Sequence, residues 1–250
     1  MFLSQVSITK DSFVTDIVKE DYRTANVFRK YDIDFCCGGR WPLGMVCETK
    51  GLDFTAIKSE LKDSLRTIQL SNSLQFDKWS VSFLMDYIVN VHHQYLQEYL
   101  PQVKNQLAHF VKDHASQYPY LTDVEKQFDI LYKETFPHLK QEEDIIFPYI
   151  RQIAHAYKNQ ESYASLLVRT LRKPVEIMHH EHESVSKILK KLRELTTNYT
   201  APVNACVSHR VTFSMLKELD NDLAQHVYLE NNILFPKAVA MEKELLETKQ

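Results

Sequence analysis

From residue 79 onward, apolar residues return every three or four positions, the interval that lines up one face of an α-helix. One such stripe runs through Val89, His93, Leu96, Leu100, Val103 and Leu107, and a second through Phe128, Leu131, Thr135, His138, Glu142 and Ile145. A third takes in Val175, Met178, His182, Val185, Leu189 and Leu192, and a fourth Leu219, Asp222, His226, Glu230 and Ile233. Together they predict four long helices over 79–113, 123–157, 174–197 and 206–247. The breaks fall at Tyr118-Pro119, Lys158-Asn159-Gln160 and Ala201-Pro202, and an accessory segment over 162–171 precedes Pro174, which suits the first turn of the third helix. Amphipathic helices joined by polar turns predict an all-α fold, an up-and-down four-helix bundle.

Ahead of the bundle the pattern is shorter. Residues 15–31 read as a helix, followed by a turn through Cys36-Cys37-Gly38-Gly39, a brief helix ending near Gly51, and Asp53 capping a helix over 54–65. The expected organisation is a small helical N-terminal domain over 1–66, a linker over 67–78 and the bundle over 79–250. All four glycines lie between Gly38 and Gly51, so none interrupts a bundle helix.

Composition narrows the function. The 250 residues are 44% hydrophobic, enough to bury one large core and a smaller unit. With a formal net charge of -3 and no basic stripe, no nucleic-acid partner is expected. No apolar run approaches the roughly 20 residues that cross a bilayer, and Met1 to Ser12 lacks a basic start followed by an apolar stretch, so a cytoplasmic protein without a membrane partner is expected. Cys36, Cys37, Cys47 and Cys206 belong to a chain too large to need disulfides, a usage that suits a reducing compartment and thiol chemistry.

An internal repeat carries the chemistry. His138-Leu-Lys-Gln-Glu142-Glu-Asp-Ile145-Ile-Phe147-Pro148 and His226-Val-Tyr-Leu-Glu230-Asn-Asn-Ile233-Leu-Phe235-Pro236 share His, Glu, Ile, Phe and Pro at the same offsets, 88 residues apart. His93 and His182, 89 apart, are the matching histidines on the first helix of each hairpin. A His with a Glu four residues on places both side chains on one helix face, so the imidazole can bind one metal while the carboxylate bridges to a second. His93, His138, His182, His226, Glu142 and Glu230 all fall on inward stripes and supply four nitrogens and two bridging carboxylates, with room left for an oxo or hydroxo bridge and a small ligand. Left bare, such buried groups would cost at least ~1–3 kcal/mol each against a total stability of about 5–15 kcal/mol. Two bridged metals with mixed donors favour iron, although spacing alone also suits manganese or zinc. His92 is the alternative to His93 and otherwise sits beside the ligands or at the surface, as does His179; His109, His114, His155, His180 and His209 are expected in solvent.

The paired His-x-x-x-Glu segments, the Glu181-His182-Glu183 triplet and the run from Asp21-Tyr22-Arg23-Thr24-Ala25 through Phe35-Cys36-Cys37-Gly38-Gly39 together resemble the iron-sulfur cluster repair di-iron proteins. The likeness covers nearly the whole chain and joins a cysteine-bearing N-terminal domain to a hemerythrin-like bundle. It implies an oxo- or hydroxo-bridged non-haem pair of iron ions held by His93, His138, Glu142, His182, His226 and Glu230. It further implies repair of iron-sulfur clusters damaged by nitric oxide or oxidants, with damaged iron-sulfur proteins as partners and a homodimer as the form suggested by the family. Donation of iron is the expected route, more than classical enzymatic turnover. The alternative is a sensor binding oxygen or nitric oxide, or a nitric oxide reductase. Oxygen-carrying hemerythrins use a further histidine one turn from another on the third helix, whereas Met178 and Ser186 flank His182 here. Ferritin-like oxidases need two Glu-x-x-His pairs, and a bundle helix carries only Glu176-Ile-Met-His179.

Cys36 and Cys37 are the candidate reactive residues outside the metal site. Followed by two glycines and Arg40, they are expected on an exposed turn where a thiolate is favoured, engaging a partner or a metal or exchanging disulfides. Cys47 and Cys206 are taken as structural.

Overall fold

The structure, a computed structural model, describes residues 8–20, 24–33, 35, 41–64, 74–160 and 172–247. The chain divides into two compact units, Met1–Ser71 with Tyr199–Leu216 and Asn72–Asn198 with Lys217–Gln250. The described residues are helical with connecting turns; the one β-type contact among them is an isolated bridge between Phe13 and Pro42. None of their helices is long and apolar enough to cross a membrane.

The first unit contains α1 (Val14–Glu20), α2 (Thr24–Lys30), α3 (Leu43–Lys50) and α4 (Phe54–Ser64). Two short helices thus stand where the pattern predicts one over 15–31, with 21–23 outside the described residues. The Thr24 hydroxyl donates to the Ile17 carbonyl (3.4 Å), and Val14, Ile17, Phe28, Leu43, Ile57 and Leu61 are buried. Helix α3 stops at Gly51, whose left-handed φ of 66° lets its N–H turn back to the Cys47 and Glu48 carbonyls. Gly44 admits no side chain: an added Cβ would lie 2.8 Å from Lys10 Cβ, because its N–H donates to the Lys10 carbonyl. Asp53 accepts the Thr55 N–H (2.8 Å), capping α4. The predicted Cys36-Cys37-Gly38-Gly39 turn lies outside the described residues. His209, expected in solvent, is fully buried with its ring edge-on to Phe213 (4.4 Å).

Four long helical runs make the bundle. They are α5 (Val81–Tyr87), a π-helical turn (Ile88–His93) and α6 (Gln94–His114); α7 (Leu121–Gln141), a π turn (Glu142–Ile146) and α8 (Phe147–Asn159); α9 (Arg172–Leu195); and α10 (Val207–Leu229), a π turn (Glu230–Leu234) and α11 (Phe235–Glu247). Their ends agree with the predicted spans to about a half turn of helix; α10 begins in the first unit and ends in the second. The segment 162–171 lies outside the described residues. Helix α7 packs against α6 and α9, and α8 against α5 and α11. Leu84, Met85, Ile88, Ile150, Met178 and Phe235 belong to one buried hydrophobic cluster. The end of the stretch read as linker forms a 3-10 turn, Phe76–Lys78. Phe76 and Trp79 pack on Tyr87 at 5.5 and 5.2 Å, and the Lys237 ammonium donates to the Asp77 and Trp79 carbonyls at 2.6 and 2.8 Å.

The π turns correct the predicted stripes. Ile145 was expected inside, yet it is 46% exposed while Ile146 is fully buried; Leu234 likewise replaces Ile233, and Ile88 replaces Val89, as the fully buried residue. A π turn holds one residue more than an α turn, so the inward face passes to a neighbouring position.

Candidate metal centre

Each π turn coincides with a predicted ligand. In the two repeats the Phe147 N–H bonds to the Glu142 carbonyl and the Phe235 N–H to that of Glu230, five residues back, instead of four. The prolines that follow explain this. Pro148 and Pro236 have no N–H to offer the residue four before, and their rings crowd that carbonyl; a widened turn relieves the clash without ending the helix. The turn ending at His93 has no such proline, and nothing in its local sequence accounts for it.

The bundle brings together all six predicted residues. His93, Glu142, His226 and Glu230 place one ligand atom each within 4.8 Å of one another, and so do His138, Glu142, His182 and Glu230. All are buried, and both glutamates are wholly so. The Nε2 atoms face each other in pairs, His93 to His226 and His138 to His182, each 3.1 Å apart. Each carboxylate divides its oxygens between the two pairs. Glu142 Oε2 lies 3.3 Å from His93 Nε2 while Oε1 lies 3.2 Å from His138 Nε2; Glu230 Oε1 lies 3.1 Å from His226 Nε2 while Oε2 lies 3.2 Å from His182 Nε2.

Hydrogen bonding on the far side of the rings fixes what the near side offers. His93 Nδ1–H donates to Glu143 (2.8 Å), His138 Nδ1–H to Glu181 (2.6 Å) and His182 Nδ1–H to Asn231 (2.8 Å). With the proton on Nδ1, a neutral ring turns its Nε2 lone pair inward, so lone pairs meet lone pairs and carboxylate oxygens. Glu142 has no hydrogen-bond partner on either oxygen, and Glu230 Oε2 has none. Such convergence is repulsive unless positive charge sits at its centre. A metal fits the spacing, since ligands about 2.1 Å from an ion lie roughly 3.0–3.4 Å apart around it. The rings are also held flat: Phe147 stacks on His93 (5.6 Å, 20°) and Phe235 on His182 (6.1 Å, 7°).

Protons take the cation's place in the metal-free protein. Burial opposes charge on His138 and His182, but contact with Glu142, joined for His182 by Glu230, outweighs it and raises their pKa values to about 9 and about 10. Burial alone would raise Glu142, yet His138, His182 and His93 hold it well below the carboxylate range. Metal must therefore displace protons. Loading the apoprotein at pH 7 is expected to release protons held by the His138–His182 pair, and the apparent affinity to fall about tenfold per pH unit for each proton displaced as pH drops. Calorimetry in buffers of differing ionisation enthalpy measures this; binding without proton release contradicts it.

His92 is buried but points away from the ligand cluster, with its Nδ1 on Asp222 (2.9 Å). His179 is half-buried beside Phe235, and His180 is exposed. Cys36 and Cys37 lie outside the described residues. A groove of about 560 Å³, lined by Glu134, Pro137, His138, Gln141, His180 and Glu181 among others, opens onto His138. The π turns were missed from sequence, although a Phe-Pro five residues after a buried Glu is a usable signal for two of them.

Two families match the chain. Residues 10–65 match ScdA_N, described as a domain of unknown function (DUF542), and residues 84–238 match the hemerythrin HHE cation binding domain. The chain is 31% identical over 236 residues to the iron-sulfur cluster repair protein YtfE of Enterobacter sp. (strain 638), covering 93% of this chain and 99% of that one. It is 31% identical to the protein of the same name from Citrobacter koseri, covering 88% of this chain and 93% of that one. It is 30% identical to a probable iron-sulfur cluster repair protein of Haemophilus influenzae, covering 85% and 90% of the two chains.

Proposed function

This chain belongs to the family of iron-sulfur cluster repair proteins, which joins an ScdA_N domain to a hemerythrin HHE domain, and we propose that it repairs damaged clusters by donating iron from a two-ion centre. His93 and His226 would hold one ion and His138 and His182 the other, with Glu142 and Glu230 shared between the two positions. The observation that carries the reading is the division of each glutamate's oxygens between the two imidazole pairs, which a single ion would not require.

Iron bound this way supplies an exchangeable, redox-active ion. The side chains do the rest. Two carboxylates and four neutral imidazoles would hold the charge of the pair, and His138 and His182 accept protons in the metal-free protein, which offsets part of the charge an ion would carry. The groove at His138 would give an ion its route in or out, and two imidazoles with two carboxylate oxygens would leave each ion room for a small ligand such as nitric oxide or oxygen. The clients are iron-sulfur proteins damaged by nitric oxide or oxidants, and Cys36 and Cys37 supply the thiols that dock or exchange with them.

Transfer of isotopically labelled iron tests donation. Protein loaded with the label and mixed with a nitric-oxide-treated cluster enzyme is expected to restore activity while label moves into the enzyme. Unrestored activity with no label transferred overturns donation. Stable uptake of nitric oxide with no iron lost would favour the sensor instead, and repeated turnover with a reductant the nitric oxide reductase.

A further inference from the structure

Three of the four inward imidazoles have their outer nitrogen anchored, by Glu143, Glu181 and Asn231. The fourth does not: His226 Nδ1 is buried and without a partner. One helical turn earlier on the same helix stands Asp222, whose Oδ1 accepts from His92 Nδ1 (2.9 Å) and whose Oδ2 is also buried and without a partner. A carboxylate oxygen and a ring nitrogen thus lie bare at i and i+4 of one helix, positions whose side chains are neighbours. Leaving a buried polar atom without a partner is destabilising. Buried polar atoms in native folds ordinarily find a partner, and each of these is the other's neighbour one turn away on the helix.

His92 fixes the rest of the arrangement. Its ring lies parallel to that of His226 (5.8 Å between centroids, 12°), and Tyr87 packs edge-on behind it (5.5 Å, 74°). It therefore covers one face of the His226 ring while holding Asp222 by one oxygen. That explains a buried histidine next to His93 that takes no part in the ligand cluster.

We propose that Asp222, held by His92, is the positioning residue for His226 and sets how tightly the position between His93 and His226 keeps its ion. The inference rests on the two-ion reading of the centre. A hydrogen bond to the outer nitrogen raises the basicity of a metal-bound imidazole and fixes its plane, and its loss costs ~10–100-fold in metal affinity. The two ions are thereby tuned separately, one through Glu143 and Asp222 and the other through Glu181 and Asn231.

The test follows iron release from the loaded full chain to a ferrous chelator. Asp222→Asn is expected to speed the release of one of two ions by ~10–100-fold and leave the other at the wild-type rate. Glu143→Gln should act on the same ion, and Glu181→Gln on the other one. His92→Phe, which keeps the stacked ring but frees the carboxylate, should reproduce part of the Asp222→Asn effect. Wild-type release of both ions from Asp222→Asn and Asp222→Ala overturns the inference, as does equal acceleration of both. Should Asp222→Ala fail to fold, the isosteric asparagine variant still decides. Wild-type protein that loads a single ion overturns the two-ion reading and this inference together; two ions with unchanged release in the Asp222 variants overturn this inference alone.

Discussion

Glu142→Ala is expected to empty both halves of the metal centre at once, with apparent affinity falling by more than ~100-fold, beyond the usual cost of losing an outer hydrogen bond. Its two oxygens serve the two imidazole pairs, so no half of the centre survives its loss intact. His226→Ala, by contrast, removes one nitrogen from one half, and should leave the His138–His182 position occupied. Metal analysis of the purified variants measures the difference. Wild-type metal content in Glu142→Ala would contradict the shared-carboxylate geometry.

The same substitution has a second signature, in metal-free protein. His138 and His182 have folded pKa values of about 9 and about 10 against an ordinary 6.5, so their pairing with Glu142 stabilises the empty fold fully below about pH 6.5 and is lost as pH rises through 9 to 10. Glu142 is depressed below its ordinary 4.5, so its share is present above that value and lost as pH falls further. Thermal melting of the wild-type apoprotein should therefore weaken on the alkaline side through this window. The Glu142→Ala apoprotein should lose the His138 share of that dependence, because Glu142 is the buried carboxylate that holds its proton, while Glu230 still faces His182.

Phe147→Ala and Phe235→Ala are each expected to destabilise the bundle by about 3–5 kcal/mol, a large part of a typical 5–15 kcal/mol. Both rings are buried at the repeat-equivalent position after a π turn, and each fills core space while stacking on a ligand histidine. Replacement by leucine keeps most of the volume and should cost far less. Chemical denaturation of the metal-free variants separates the packing loss from any loss of metal. A cost under about 1 kcal/mol for both alanine variants would show that the core closes over the missing rings.

Sequence by itself determined the helices, the chemistry and the repeat. Side chains that share a helix face recur at a fixed interval whatever the helix packs against, so the run of Val175, Met178, His182, Val185, Leu189 and Leu192 declared its inward face unaided, and each of these is buried. The His-x-x-x-Glu pairs were legible for the same reason, since their relation is internal to one helix. Where the helix departs from regular geometry that logic slips by a residue, as at Ile145 and Ile146, because periodicity assumes a constant turn and the proline-linked π turns break it.

What the tertiary structure alone decided concerns relations between helices. Which of two adjacent histidines faces the carboxylates depends on a π turn that no local residue announces; His93 meets Glu142, while His92 turns to Asp222. The anchoring of His138 by Glu181 and of His182 by Asn231 joins residues 43 and 49 positions apart, and spacing along the chain carries no information about such pairings. His209, expected in solvent from the sequence, is buried for the same reason: a residue's environment is set by what packs over its face, and that is a property of the assembled fold.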